Sequence, residues 1–319
     1  MRLRPLSAVL LGCLVLLASH AARADERAFP CAENDRACLL GLLDAGQGGE
    51  PLRAALLLSN FADEPTARAL AARLPAADQL LATAAVHALV RIGTPAVAPL
   101  LDATKSENEA VRAYAVYALG RIGQGVAVDQ VADLALDPSS EVRLQLATAL
   151  GEWRGAGTFP LLKQLADDHV IRVRAAAVGA LGGIDDPAAV GLLAYALTDP
   201  YPAVGNEAVR AIARKGRAAV VPLQQMLTST QPAVIVRACV ALAWIGEPGA
   251  NMALVRVLAN SDPRAVQAAI YALAATGDRL VVRALQVLRE PARKVDGVTL
   301  SDLARDAIRR IQEREKKAP

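Results

Sequence analysis

The chain has 319 residues, of which 54% are hydrophobic and only 3% aromatic, and its formal net charge is +3. This composition excludes a disordered chain and favours many short amphipathic helices packed through small side chains. Residues 1–24 hold three of the 35 basic residues and no acid, so the rest of the chain carries 32 basic and 32 acidic residues. That balance gives no electrostatic case for binding nucleic acid or an anionic membrane.

The N-terminal segment has the pattern of a secretory signal peptide. Arg2 and Arg4 precede an apolar stretch, Leu6–Leu17, and Ala22-Arg23-Ala24 forms a small-residue cleavage site. The apolar stretch is too short for a transmembrane anchor. The sequence therefore predicts cleavage after Ala24, a periplasmic or secreted protein, and no integral membrane span in the mature chain.

An alternative comes from Leu10-Leu11-Gly12-Cys13, which resembles a bacterial lipobox. In that case Cys13 would become a lipidated N-terminus and the protein an envelope lipoprotein. The apolar stretch continues past Cys13 and a good cleavage site follows it, which favours soluble export.

Cys31 and Cys38 lie seven residues apart in the segment that follows. An oxidising compartment favours a disulfide between them. Metal binding is the competing interpretation, but the mature chain has only His87 and His169, and neither is near in sequence. The sequence predicts the disulfide, no metal and no cofactor.

A repeat of about 31 residues runs through the centre of the chain. Segments such as AVHALVRIG and AVYALGRIG recur with an aliphatic anchor in each, and successive anchors are 30 or 31 residues apart. The anchors are Leu89, Leu119, Leu150, Leu181, Ile212, Leu242 and Leu273. Such regularity predicts an array of helical hairpins.

Columns of small residues surround the anchor. An alanine precedes it in every repeat, and a glycine four residues later marks the helix end in five of the seven, with Arg154 and Asp185 as the exceptions. The dipeptides Asp137-Pro138 and Asp199-Pro200 predict an N-cap followed by proline at the first helical position.

Stretches such as SSEVRLQLATALG and ENEAVRAYAVYALGRIG resemble the HEAT repeat, in particular its short form in phycobilisome-lyase-like proteins. The resemblance implies an all-α, right-handed α-solenoid of about eight hairpins. It also implies that the second helices line the concave face and open on a Val-Arg pair. The pair is present at Arg112, Arg143 and Arg174, but Gly205, Ile235 and Val266 replace the next three arginines. A buried arginine needs a partner, so these arginines are predicted to bond neighbouring loop carboxylates.

Four regions follow from this pattern. Residues 1–24 are the signal peptide, 25–60 a capping segment with the disulfide, 61–289 the repeat array, and 290–319 a C-terminal capping helix and tail. Arrays of this kind need terminal units with a polar outer surface, and the charged helix expected at 299–315 supplies one.

No catalytic motif is present. The sequence lacks His-Glu-x-x-His, a phosphate-binding loop with lysine, Gly-x-Ser-x-Gly and Cys-x-x-Cys. The His-Glu pairs that hold iron in deoxyhypusine hydroxylase, a HEAT-like enzyme, are absent as well. Cys239 stands in a column of core aliphatic residues, so it is expected to be a small core residue and not a nucleophile. The protein is therefore predicted not to be an enzyme.

Positions five and two before the anchor, and two after it, are expected to cluster on one helix side, opposite the core. Tyrosine, tryptophan and arginine collect there, and these residue types anchor protein interfaces. The candidate partner-binding residues are His87, Arg91, Tyr114, Tyr117, Arg121, Glu207, Arg210, Arg214, Arg237, Trp244 and Tyr271.

These observations favour a scaffold or adaptor of the bacterial cell envelope that binds a protein partner, with an acidic segment as the preferred ligand. Two alternatives stay open. One is an enzyme subunit such as a chromophore-lyase-like HEAT protein, and the other is a lipid-anchored envelope assembly factor.

Overall fold

The computed structural model describes residues 29–75, 78–155, 157–288 and 293–317. The predicted signal peptide, its cleavage site at Ala24 and the lipobox cysteine Cys13 lie outside the described residues. Within the described part, no helix is both long and apolar enough to cross a bilayer. The chain forms two compact units, residues 1–153 and 154–319.

The first unit is a stack of four helical hairpins within its described residues. Its helices are α1 (Arg36–Ala45), α2 (Glu50–Leu58), α3 (Glu64–Ala71), α4 (Gln79–Ile92), α5 (Val97–Ala103), α6 (Glu109–Ile122) and α7 (Ser140–Trp153). Short 3₁₀ helices span Thr94–Ala96 and Val128–Leu136, and the second takes the place of a first helix in front of α7. The second helices α2, α4, α6 and α7 pack in sequence, and so do α3 and α5.

The second unit continues the pattern with five hairpins in the described residues. Its helices are α8 (Thr158–Leu165), α9 (Ile171–Leu181), α10 (Pro187–Ala196), α11 (Pro202–Ala213), α12 (Val220–Met226), α13 (Pro232–Ile245), α14 (Asn251–Val257), α15 (Pro263–Thr276), α16 (Arg279–Gln286) and α17 (Leu300–Lys317). Two 3₁₀ turns, Gly216–Ala219 and Pro248–Ala250, precede α12 and α14. The second helices α9, α11, α13, α15 and α17 form one packed row.

The predicted all-α solenoid class is confirmed, and the anchor columns form its core. Every anchor from Leu89 to Leu273 is at most 1% exposed. The alanines before them let adjacent helices approach closely, and Ala149 on α7 lies directly against Gly120 on α6. The predicted charged C-terminal helix is present as α17, which pairs with α16 as a full hairpin.

The predicted arginine contacts are confirmed at the loops that lead into the second helices. Arg112 binds Asp137 through Nε and Nη2 at 2.7 and 2.9 Å, and Arg174 binds Asp199 in the same way at 2.9 and 3.5 Å. Hydrogen bonding to Asp137 raises the pKa of the Arg112 guanidinium. These pairs are mostly buried, so the arginines hold successive hairpins together.

Each of these arginines also donates to a backbone carbonyl six residues before it. Arg112 Nη1 donates to Ser106 O at 2.8 Å, and Arg174 Nη1 donates to Asp168 O at 2.7 Å. Arg143 Nη1 donates to Asp137 O at 2.7 Å. A buried carbonyl without a donor is costly, so the arginine satisfies the loop that precedes its own helix.

Where the arginine is missing, the next repeat supplies one. Gly205 leaves an open space, and Arg237 from α13 fills it so closely that a Cβ on Gly205 would overlap the guanidinium. Arg237 Nη1 donates to Leu197 O at 2.6 Å and to Asp199 O at 2.9 Å. Asp199 O stands six residues before Gly205, so Arg237 replaces the missing contact.

Arg293 takes the place of the arginine that is missing at Val266. It donates to Asn260 O at 2.7 Å and to Ser261 O at 2.9 Å, and Asn260 stands six residues before Val266. Two of the three gaps in the arginine series are therefore filled by a donor from farther along the chain.

The predicted N-caps at Asp137 and Asp199 were wrong. The helices that follow begin only at Ser140 and Pro202. Each carboxylate instead accepts from the backbone N–H two residues on, at 2.8 Å, and binds the arginine of the preceding repeat. Proline after aspartate thus starts a turn here, which positions the carboxylate for its arginine.

The glycine column is confirmed at four of its five positions, which have positive φ; Gly277 is extended instead, with φ −70°. Arg154, one of the two exceptions in that column, adopts φ 49° in the same left-handed region. At Arg154 the helix end adopts this conformation without glycine, at a cost in backbone strain.

The all-α prediction missed one small element. Lys294–Val295 and Val298–Thr299 form an antiparallel β-hairpin between α16 and α17. Its two turn residues, Asp296 and Gly297, have φ 50° and 83°. Asp-Gly is the sequence that such a two-residue turn prefers.

The replacement at Gly205 makes a testable prediction about stability. Arg237→Ala leaves two loop carbonyls without a donor and should lower the free energy of unfolding by about 2 kcal/mol. Gly205→Ala should also destabilise, because the new methyl displaces the guanidinium. In the Arg237→Ala background, Gly205→Ala should become stabilising by about 1 kcal/mol, since alanine favours a helix over glycine.

Urea unfolding followed by circular dichroism measures all three variants. Gly191→Ala is the matched control, because Gly191 lies in helix α10 with no atom near its missing side chain. That change should stabilise in both backgrounds. If Gly205→Ala changed the free energy of unfolding in the same direction in both backgrounds, Arg237 would not be the replacement for the missing arginine.

Candidate functional site

A groove of about 730 Å³ lies in the second unit between α13 and α15. Its walls come from the exposed sides of these second helices, with Asn206 from α11 at one edge and the β-hairpin at the other. The side chains that line it include Val236, Arg237, Val240, Trp244, Arg264, Gln267, Tyr271, Val295 and Asp296. Because both helices belong to one packed row, their side chains face a common space.

Two aromatic rings are open to solvent in this groove. Trp244 on α13 is 60% exposed and Tyr271 on α15 is 50% exposed. Trp244 stands two residues after its anchor, Leu242, and Tyr271 two residues before its anchor, Leu273. Large aromatic side chains usually bury most of their surface, so this pair is available to a ligand.

The β-hairpin forms one wall of the groove. Val295 and Asp296 both line it, and Asp296 stands in the left-handed conformation at the turn. The strand Lys294–Val295 packs against α15. The turn therefore places a carboxylate beside the aromatic pair.

The groove brings together three of the predicted partner-binding residues: Arg237, Trp244 and Tyr271. Arg237 has a structural task there, because its guanidinium is bonded to the carbonyls of Leu197 and Asp199. Arg237 lines the groove, while its Nη1 donates to the fold.

The three predicted residues of α11 do not line the groove. Arg210 pairs with Glu207 on the same helix at 2.5 Å. Arg214 Nη2 donates to Gly179 O of the preceding hairpin at 2.6 Å. Arg214 thus gives a second donor to a carbonyl at the end of α9, which also accepts from Gly182 N at 3.2 Å.

The other predicted residues belong to the first unit. Arg91 and Arg121 are exposed, and Arg91 lies 3.5 Å from Asn60 Oδ1. Tyr117 and His87 are half-buried. Burial lowers the pKa of His87, and its Nε2 is buried without a hydrogen-bond partner.

The prediction that Tyr114 is exposed was wrong, because its side chain is only 9% exposed. Position −5 relative to the anchor is buried in three other repeats too, at Ala84, Gln145 and Ala268. Helices on both sides of a second helix cover this position, since the second helices form a continuous row. The positions two residues after the anchor carry the open surface instead.

Three residues that line the groove were not predicted from the sequence: Arg264, Gln267 and Asp296. Arg264 and Gln267 come from the beginning of α15, before the first of the three positions that the prediction considered. Asp296 had a sequence signal, because Asp-Gly between two valines is a hairpin pattern.

The chemistry of Cys239 is that of a core residue. Its side chain is fully buried, and burial raises the pKa of the thiol to about 12. Across residues 29–75, 78–155, 157–288 and 293–317, no three His, Cys, Asp or Glu residues are grouped so that they could hold a metal ion.

The family model described as HEAT repeats matches the chain six times, at residues 66–151, 97–175, 128–213, 159–229, 189–251 and 219–305. Together these matches cover more than half of the sequence. The chain belongs to the HEAT-repeat family. The groove therefore lies on the second helices of HEAT repeats, and HEAT repeats generally mediate protein interactions. No curated protein sequence matches the chain.

Several solved structures are similar to this HEAT array. YibA of Escherichia coli is 19% identical with a TM-score of 0.48, over 83% of this chain and 98% of that one. The CpcE–CpcF complex of phycocyanin lyase from Nostoc sp. is 21% identical with a TM-score of 0.40, over 77% and 94%. Human deoxyhypusine hydroxylase is 20% identical with a TM-score of 0.35, over 80% and 99%. At these identities and scores, none of them carries an inference about function.

The buried thiol gives a pH-dependent prediction. Its pKa is raised in the folded state, so above pH 9 the unfolded chain loses the proton while the folded chain keeps it. The contribution of Cys239 to stability is therefore complete below pH 9 and lost as the pH rises toward 12. When the pH is raised from below 9 to above 9, the urea midpoint should fall less in the Cys239→Ala variant than in the unchanged chain.

In the native chain, Cys239 should also react with a thiol reagent only after unfolding. Rapid modification of the native protein under mildly alkaline conditions would show an accessible thiolate and contradict the core assignment.

Proposed function

We propose that this HEAT-repeat protein is a non-enzymatic scaffold or adaptor of the bacterial cell envelope that binds a protein partner in the groove of the second unit. The exposed pair Trp244 and Tyr271 carries the proposal. Tryptophan and tyrosine are enriched among the residues that contribute most to binding at protein interfaces. Two such rings on neighbouring helices can enclose a projecting side chain of the partner.

The charge of the groove supports a partner with an acidic segment. Arg237 and Arg264 contribute two positive charges to the lining, against one carboxylate at Asp296. Arg264 is 73% exposed and lies 3.6 Å from Asp262. Because the guanidinium is exposed and its contact with Asp262 is long, a carboxylate of the partner can compete for it at little cost.

The disulfide supports an envelope location. Cys31 and Cys38 are bonded, with their Cα atoms 5.7 Å apart. Disulfides persist in oxidising compartments and are rare in the cytosol. Together with the signal-peptide pattern, the bond favours a mature chain that begins at Asp25 in the periplasm or outside the cell.

The groove proposal predicts the effect of removing both rings. Trp244→Ala combined with Tyr271→Ala should weaken partner binding at least tenfold, a typical loss for interface residues of this type. The measurement is photocrosslinking in the native envelope from a probe at Gln267, which lines the same groove. The crosslinked partner should disappear in the double variant while circular dichroism stays unchanged.

Leu136→Ala is the matched control, because Leu136 is 78% exposed but does not line the groove. The control variant should retain the crosslink. Equal loss in both variants, or an unchanged crosslink in the double variant, would show that the groove is not the binding site.

Export makes a separate prediction. Protein recovered from its native cells without reductant should begin at Asp25, as read by N-terminal mass spectrometry, and should contain one disulfide and one free thiol. A chain that retains Met1 with three free thiols past residue 24 would contradict export. Acylation at Cys13 would identify the lipoprotein instead.

A further inference from the structure

We propose that the outer face of the second unit, formed by its first helices α8, α10, α12, α14 and α16, docks on an anionic lipid surface. This inference concerns the side of the hairpins away from the groove and does not depend on the proposed partner. It rests on the exposure and the charge of equivalent positions in successive repeats.

Each first helix of the second unit contains one buried leucine that fixes the register. These are Leu162, Leu193, Leu223, Leu254 and Leu285, all at most 1% exposed and 30 or 31 residues apart. The positions two residues before and two residues after this leucine are exposed in all five helices. These ten positions define the outer face.

The outer face exposes large apolar side chains. Four of its ten positions hold Tyr195, Val221, Met252 and Val287, with exposures of 71%, 62%, 67% and 79%. Leu280, one turn before Arg283 on α16, is 80% exposed as well. Most large apolar side chains in the described residues are buried, so this concentration on one side of one unit calls for a partner.

The same face carries positive charge and no acid. Arg256 and Arg283 occupy two of the ten positions, and none of the ten is Asp or Glu. Arg256 lies one turn from Met252, so the two side chains share one side of α14. The nearby acid Asp278 uses its carboxylate to cap α16 at Leu280 N.

The first unit provides an internal comparison. Its equivalent positions, two residues either side of Leu70, Leu100 and Val131, hold Arg68, Ala72, Ala98, Asp102, Asp129 and Asp133. Three of these six are acidic, whereas none of the ten in the second unit is. The repeat architecture therefore does not require an acid-free outer face, and the second unit differs by sequence.

A lipid surface fits this arrangement better than a folded protein does. The apolar side chains are spread over four helices, α10, α12, α14 and α16, with arginine, glycine or glutamine between them, and do not gather into a central pocket as interface hot spots do. Shallow insertion of dispersed apolar side chains, with arginines at the headgroups, is how amphipathic surfaces bind anionic membranes. We therefore assign the anionic bilayer interface as the occupant.

Vesicle flotation of the purified full chain tests the assignment. The protein should float with phosphatidylcholine vesicles that contain phosphatidylglycerol and not with phosphatidylcholine alone, and added salt should weaken the binding. Arg256→Gln with Arg283→Gln should reduce binding about 30-fold, since each basic residue at a lipid surface contributes roughly a factor of five. Met252→Glu should reduce it further.

Arg121→Gln with Arg210→Gln is the matched control, because it removes the same charge from exposed arginines of second helices. The control should bind vesicles like the unchanged chain. Absence of anionic-vesicle binding, or an equal loss in both double variants, would overturn the proposal. Loss of an acidic protein ligand in the Arg256 and Arg283 variant, without any vesicle binding, would reassign the face to protein.

Discussion

The structure depends on hydrogen-bond donors for the backbone carbonyl groups at the points where helices begin and end. An array of short hairpins has many such ends, and each helix leaves its last carbonyls without intrahelical partners. Arginine side chains supply several of these donors. Arg112 and Arg174 serve the loops that open their own helices, Arg214 serves the end of α9, and Arg314 donates to Ala274 O and Ala275 O at the end of α15. The same side chains link one hairpin to the next, so the hydrogen bonding of the carbonyl groups and the stacking of the hairpins depend on the same residues.

This requirement limits which arginines are available for binding. Exposed arginine on a repeat surface suggests a ligand site, yet Arg214 and Arg237 both donate to the backbone of the preceding hairpin. In the proposed binding groove, Trp244 and Tyr271 are therefore the main candidates for contact with a partner, and Arg264 is the cation that is loosely held. Trp153 Nε1 donates to Leu119 O at 3.2 Å, whereas the rings of Trp244 and Tyr271 are open to solvent.

The sequence predicted the core well because periodicity records burial directly. The anchors and their alanines are buried as expected, and Arg112 and Arg174 bind aspartates as expected. The groove could be predicted only in part. The exposure of Tyr114 depends on how closely neighbouring helices pack, and the position of Arg237 depends on an empty space at Gly205, 32 residues earlier. Neither is a property of a single repeat. Asp296 is a different case, because its turn sequence was present and was not used in the prediction.

The exchange between Gly205 and Arg237 has a consequence for how such arrays can change by recombination. Repeat proteins lengthen and shorten when whole units are duplicated or lost, and this works when each unit carries its own contacts. Here one unit lacks a donor that the following unit provides. Removing the unit that contains α13 would leave Asp199 O without its arginine, and inserting a unit before α13 would move that arginine out of reach. The order of these two repeats is thus part of the structure, and the donation from Arg293 to Asn260 O ties the last units together in the same way.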